Sequence, residues 1–136
     1  MRNHCCRTIG VGLFAGLFLA AGAADACRCV PRKSAALAAA ADAIVTADVA
    51  AIDDSDPTGR MYRLRVLDSW KRRLSGALTV TSEATSCRAE LTSGTRYLIY
   101  LKRAGRGYST DACSGNRAAA QAVAIRSRLG KPLAAR

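Results

Sequence analysis

The chain has 136 residues, with 21 Lys and Arg against 10 Asp and Glu and a net charge of +11. Aromatic residues make up 5% and His4 is the single histidine, which is thin for base-stacking platforms and for His-based acid–base chemistry. No specific nucleic-acid partner, cofactor or enzymatic activity is expected, and the basic balance favours acidic partners instead.

Arg2 and Arg7 form a positive start, and Ile9 to Ala24 is an uncharged run of Gly, Val, Leu, Phe and Ala. At about 16 residues the run falls short of the ~20 that a membrane helix needs. Ala24 and Ala26 occupy the positions before a signal-peptidase cut. Residues 1–26 therefore read as a secretory signal peptide, with a competing cut after Ala23. Ala24-Asp25 fits poorly as the lead-in to a lipid attachment at Cys27. A secreted or periplasmic chain follows, with no membrane span once the signal is removed. It begins at Cys27, which then carries a free α-amino group.

The remaining chain of about 110 residues suffices for one domain with a modest core, and a monomer is expected. Losing Arg2, Arg7 and Asp25 leaves the net charge near +10. Cys5 and Cys6 go with the signal, leaving Cys27, Cys29, Cys87 and Cys113. In an oxidising compartment an even count reads as disulfides. Pairing Cys27 with Cys29 would close a small strained ring. Two connectivities stay open, each tying both N-terminal cysteines to distant segments. Every such bridge closes a loop of roughly 60 to 85 residues, worth about 4 kcal/mol in the chain-entropy model. A four-cysteine zinc site is the rival use, but the C-x-C spacing is poor for it.

Ser34 is placed to cap a helix through Ala35–Ala41, ended by Asp42. Ala43–Ile52 reads as a strand, and Asp53–Gly59 as a polar turn. Met61–Trp70 is the clearest strand: Tyr62, Leu64 and Val66 point one way, Arg63 and Arg65 the other. Lys71–Gly76 is a basic connection and Ala77–Thr81 a third strand. Arg96–Leu101 is a fourth, and Tyr108–Thr110 a short fifth after a glycine turn. Asn116–Leu129 is Ala-rich and predicted helical, closed by Gly130 and Pro132. Trp70, Tyr97 and Tyr100 are expected in the core or barrel wall. Five short strands between two helices, with frequent turn signals, point to a small barrel. Arg63, Arg65, Lys71, Arg72, Arg73, Arg103 and Arg106 make up a candidate polyanion-binding surface, whose binding would weaken with salt.

The order of these features resembles the N-terminal, netrin-like domain of the tissue inhibitors of metalloproteinases, and more closely the short bacterial proteins grouped with them. The residues that carry the resemblance are Cys27-Arg28-Cys29-Val30-Pro31, Ala41–Val49, Trp70-Lys71, Thr85-Ser86-Cys87, Gly94–Tyr100 and Asp111-Ala112-Cys113. They span about residues 27–115, leaving 116–136 as a C-terminal helix packing on or trailing the barrel. The resemblance implies a mainly β, five-stranded OB-fold barrel, stapled by Cys27–Cys87 and Cys29–Cys113. A third bridge of the animal inhibitors is missing, since Ala39 or Ala40 stands where its cysteine would fall. In that family the mature N-terminal cysteine chelates the catalytic zinc of a target protease through its α-amino nitrogen and carbonyl oxygen. The resemblance thus implies an inhibitory wedge of Cys27, Arg28, Cys29 and Val30. Cys27 would ligate the zinc of a metalloprotease partner, and Arg28 would enter the pocket beside it. In the animal inhibitors that second residue is small or aliphatic, so Arg28 asks for a deep or acidic pocket. The alternative is a netrin-like binding module without inhibition, recognising an anionic envelope or extracellular ligand.

Overall fold

The computed structural model describes residues 26–134, so the expected signal peptide lies outside the described residues apart from Ala26. Helix α1 (Ser34–Ala40) is followed by strands β1 (Ala43–Asp53), β2 (Gly59–Trp70), β3 (Gly76–Glu83), β4 (Arg96–Ala104) and β5 (Gly107–Ser109). A two-residue strand β6 (Arg117–Ala118), a 3-10 turn (Ala119–Gln121) and helix α2 (Val123–Leu129) complete the order. The strands run β1-β2-β3-β5-β4, and β4 also pairs with β1. The sheet therefore closes on itself, and β6 adds to the outer edge of β4. All barrel pairings are antiparallel except β3 with β5. The protein is a mainly β, closed five-stranded barrel of the OB-fold type, with two short helices.

Alternation decides β2: Tyr62, Leu64 and Val66 are buried, while Arg63, Arg65 and Leu67 face solvent. Strand β1 is buried on both faces over Ala43–Ala47. Val45, Ala47 and Val49 fill the barrel together with Tyr62, Leu64 and Ile99. Ile44, on the opposite face, joins Trp70, Leu98 and Tyr100 in a second cluster outside the barrel. Leu37 of α1 and Ile125 and Leu129 of α2 cover that cluster. The helices thus bury the only stretch of β1 that could not otherwise alternate. Gly115, at φ +99°, allows this closeness, because a Cβ there would stand 2.7 Å from Leu37 Cδ1.

Two local expectations change. Lys33, not Ser34, is the residue before the first helical turn of α1, and no side chain caps it. The C-terminal helix starts only at Val123. Upstream, Arg117 and Ala118 pair with Leu98 and Tyr97 of β4. Asn116 Oδ1 accepts the Tyr100 N–H at 2.9 Å. Backbone pairing to a sheet edge outweighs the few tenths of a kcal/mol per residue by which alanine favours helix.

Candidate functional site

The parallel β3–β5 pair sets up the site. Because Val80 lies beside Tyr108 and Thr81 beside Ser109, both strands leave the barrel at the same end. Their exit loops are joined by an Arg88–Asp111 bridge and by the Ala112 N–H donating to Cys87 O at 2.8 Å. Cys87 and Cys113 are thereby held close together on neighbouring loops. Asp111 locks the second loop: its Oδ1 accepts the Cys113 N–H at 2.8 Å and the Ser114 hydroxyl at 2.9 Å. An Asp accepting from the amide two residues on is a local turn signal. The D-x-C stretch could have revealed it.

A C-x-C segment in extended conformation points both sulfurs one way and the intervening side chain the other. That geometry meets the paired loops. Cys27 bonds Cys87 with Cα atoms 4.8 Å apart, and Cys29 bonds Cys113 with Cα atoms 5.1 Å apart. The two bridges touch: Cys27 Sγ lies 3.6 Å from Cys113 Sγ and 3.9 Å from Cys29 Sγ. All four sulfurs are committed to disulfides, so their clustering offers no thiolate for a metal.

The result is a fixed ridge. Arg28, Cys29 and Val30 are exposed, Val30 to 77%, and Cys27 is half-buried. The Arg28 guanidinium has no hydrogen-bond or ion-pair partner among the described residues. Beneath Val30 lies a cavity of about 130 Å³, lined also by Arg32, Leu37, Tyr100, Lys102 and Asp111. Arg32 and Lys102 were not among the sequence candidates. Their place beside the ridge depends on how α1 folds back over β4.

The candidate polyanion residues are separated by the fold. Asp48 sits opposite Arg65 on β2 and opposite Arg96 on β4. Its Oδ1 accepts from Arg96 Nε at 2.7 Å, and its Oδ2 accepts from Arg65 Nη2. The Arg96 hydrogen bond, with Arg65 behind it, holds the Asp48 carboxyl below the usual carboxylate range. Arg65 is therefore already paired. Lys71 is engaged elsewhere: its Nζ donates to Ala38 O at 2.9 Å, to Ala39 O at 3.1 Å and to Ala41 O. Arg63 is exposed in the middle of β2. Arg72, Arg73, Arg103 and Arg106 are exposed on the β2–β3 and β4–β5 connections or at their edges. Of the aromatic residues, Trp70 and Tyr100 are buried in the outer cluster, and Tyr97 packs against the barrel core. No helix among the described residues is long and apolar enough to cross a membrane.

Comparison with known proteins returned no matching family model and no matching curated protein.

Proposed function

We propose that this protein is an exported, non-enzymatic inhibitor of a zinc metalloprotease, acting through the ridge Cys27–Val30. The supporting observation is that two disulfides fix residues 27 and 29 to adjacent loops while Arg28 and Val30 remain exposed. With cleavage after Ala26, Cys27 supplies an α-amino nitrogen and a carbonyl oxygen on one residue, a pair that closes a five-membered ring on one metal ion. Together they would displace the water that the protease zinc activates. An ordinary α-amino group titrates near pH 8, so deprotonating one at neutral pH costs about 1.4 kcal/mol. Ridge and loops are held before docking, so little chain entropy is lost on binding.

Arg28 is exposed between the two bridged cysteines, and on this reading it enters the pocket next to the zinc. A guanidinium without a partner is costly to bury, so the fitting target carries a carboxylate there. The experiment compares oxidised protein beginning at Cys27 with a version bearing one added N-terminal alanine, against a panel of secreted zinc proteases. The first is expected to inhibit a member with an acidic pocket, and the extended form is not. Equal inhibition by both forms would reject zinc chelation. Unchanged inhibition by Arg28→Glu would reject the acidic-pocket match.

A further inference from the structure

Two disulfides in contact can change partners. Cys27 Sγ lies 3.6 Å from the Sγ of Cys113, to which it is not bonded, and 3.9 Å from that of Cys29. The four sulfurs are not equally accessible. Cys29 is exposed, while Cys27, Cys87 and Cys113 are half-buried. A thiolate arriving from solution therefore meets Cys29 first, between the exposed Arg28 and Arg32 that draw an anion toward it. Which sulfur is attacked decides which one leaves. Attack at Cys29 expels Cys113 as a thiolate.

The cavity beneath Val30 suits that leaving group. Cys113 lines it together with Arg32 and Lys102, two cations against the one carboxylate of Asp111. Asp111 Oδ1 is itself engaged by the Cys113 N–H and the Ser114 hydroxyl. Cations beside a sulfur stabilise its thiolate, and a stabilised thiolate leaves faster.

From this arrangement we propose that Cys29 is a site of reversible thiolation by a small thiol, and that opening it passes the break to the second bridge. The steps need no oxidant or reductant. The incoming thiol gives its proton to solvent and its sulfur bonds Cys29 Sγ. The Cys29–Cys113 bond breaks, and Cys113 keeps the electron pair. Cys113 Sγ then bonds Cys27 Sγ, the Cys27–Cys87 bond breaks, and Cys87 keeps the pair and takes a proton from solvent. The product holds a mixed disulfide at Cys29, a Cys27–Cys113 bridge and a free Cys87 thiol. The reverse steps expel the small thiol and restore the original bridges.

Little opposes the second step. The sulfurs close only from 3.6 Å to the ~2.05 Å of a bond. A thiolate held in contact attacks at a higher effective concentration than the millimolar level of a flexible tether. The new bridge has sequence separation 86 against 60 for the one it replaces. Loop entropy varies only with the logarithm of length, so it barely distinguishes the two. The barrel core contains none of the four cysteines and is left intact. What changes is the ridge: Cys27 passes to the loop of Cys113, and Cys29 is tied to no loop. Arg28 and Val30 then lose the second anchor that fixes them. Exchange does not depend on the inhibitory reading, and its test reads no protease.

The test exposes oxidised protein beginning at Cys27 to one equivalent of reduced glutathione. The reaction is stopped in acid, free thiols are alkylated with N-ethylmaleimide, and the peptides are mapped by mass. Cutting after Arg28, Arg32, Arg88 and Arg106, trypsin leaves each cysteine on its own peptide. Glutathione is expected on Cys29. With loop entropy nearly level, at least about a tenth of the alkyl label is expected on Cys87, with a matching Cys27–Cys113 peptide pair. Glutathione on Cys87 or Cys113 ahead of Cys29 would overturn the thiolation site. Glutathione on Cys29 with the label confined to Cys113 would overturn the exchange. Cys29→Ser gives a second reading, because it leaves Cys113 as a permanent thiol beside the remaining bridge. This variant is expected to divide between Cys27–Cys87 and Cys27–Cys113, and a single Cys27–Cys87 species would also overturn the exchange.

Discussion

Lys71 offers a sharp test of how the barrel end is built. It is the sole non-glycine residue with positive φ among those described, at 67°, where a side chain costs about 1–2 kcal/mol. Its ammonium offsets that cost by binding the Ala38, Ala39 and Ala41 carbonyls at the end of α1. The last turn of α1 has no basic residue of its own. Hydrogen bonds from a charged donor are worth about 1.5–3 kcal/mol net. Lys71→Ala removes them and keeps the backbone strain, so a loss of about 1.5–3 kcal/mol is expected. Lys71→Gly also removes them but releases the strain, against roughly 0.5–1 kcal/mol of extra unfolded-chain entropy. Glycine is therefore expected to be the better replacement, by about 0.5–1 kcal/mol, the reverse of the order inside an ordinary strand or helix. The assay is urea unfolding followed by the fluorescence of Trp70, the single tryptophan. With a slope of about 1–3 kcal/mol per molar, Lys71→Ala should lower the midpoint by about 1 M. A midpoint unchanged by Lys71→Ala, or an alanine variant more stable than the glycine one, would refute the reasoning.

Three further outcomes follow from the same contacts. Replacing Cys29 and Cys113 by alanine opens a loop of sequence separation 84, and a loss of about 4.5 kcal/mol is expected from chain entropy; a loss under ~1 kcal/mol in urea unfolding would contradict it. The Tyr100 hydroxyl is buried with no partner among the described residues, and burial pushes its phenol up. Tyr100→Phe should therefore be neutral or raise the thermal midpoint by a few degrees, since an unsatisfied buried hydroxyl costs about 1–3 kcal/mol; a drop of similar size would reveal a partner. Asp48 and Asp54 are held low chiefly by hydrogen bonds from Arg96 and Arg60, and Asp53 and Asp56 by hydrogen bonds from Ser55 and Thr58. Lowered carboxyls mean that the unfolded chain binds more protons in acid. Their stabilisation is complete above the ordinary value of 3.8 and is lost as pH falls through the depressed folded values. Unfolding midpoints should stay flat from about pH 7 to 5 and fall below about 4; a decline already between 7 and 5 would contradict this assignment.

Much of the barrel was legible in the sequence because its strands alternate or carry β-branched residues at their buried positions. Tyr62-Arg63-Leu64-Arg65-Val66 could face a core in only one way. The late start of α2 was not legible. Ala118–Ala122 looks helical by propensity, and what overrides it is the free edge of β4. Spacing left two pairings open for the cysteines. The parallel β3–β5 contact sets Cys87 and Cys113 on neighbouring loops, and there the structure pairs Cys27 with Cys87 and Cys29 with Cys113. Nor did the sequence distinguish Arg65 from Arg72. Both are arginines on or after β2, and only cross-strand register places Asp48 opposite the first. Lys102 escaped notice for the same reason. It stands beside Val30 and Asp111 only because α1 folds back over β4.

The most direct measurement replaces the zinc of a susceptible protease by cobalt and titrates it with oxidised protein beginning at Cys27. The visible spectrum reports the metal's ligands. A stoichiometric change, on replacement of water by an amino nitrogen and a carbonyl oxygen, is the expected result, and N-acetylated protein should leave the spectrum unmoved. Inhibition with an unchanged cobalt spectrum would place the ridge away from the metal and contradict the chelating mechanism.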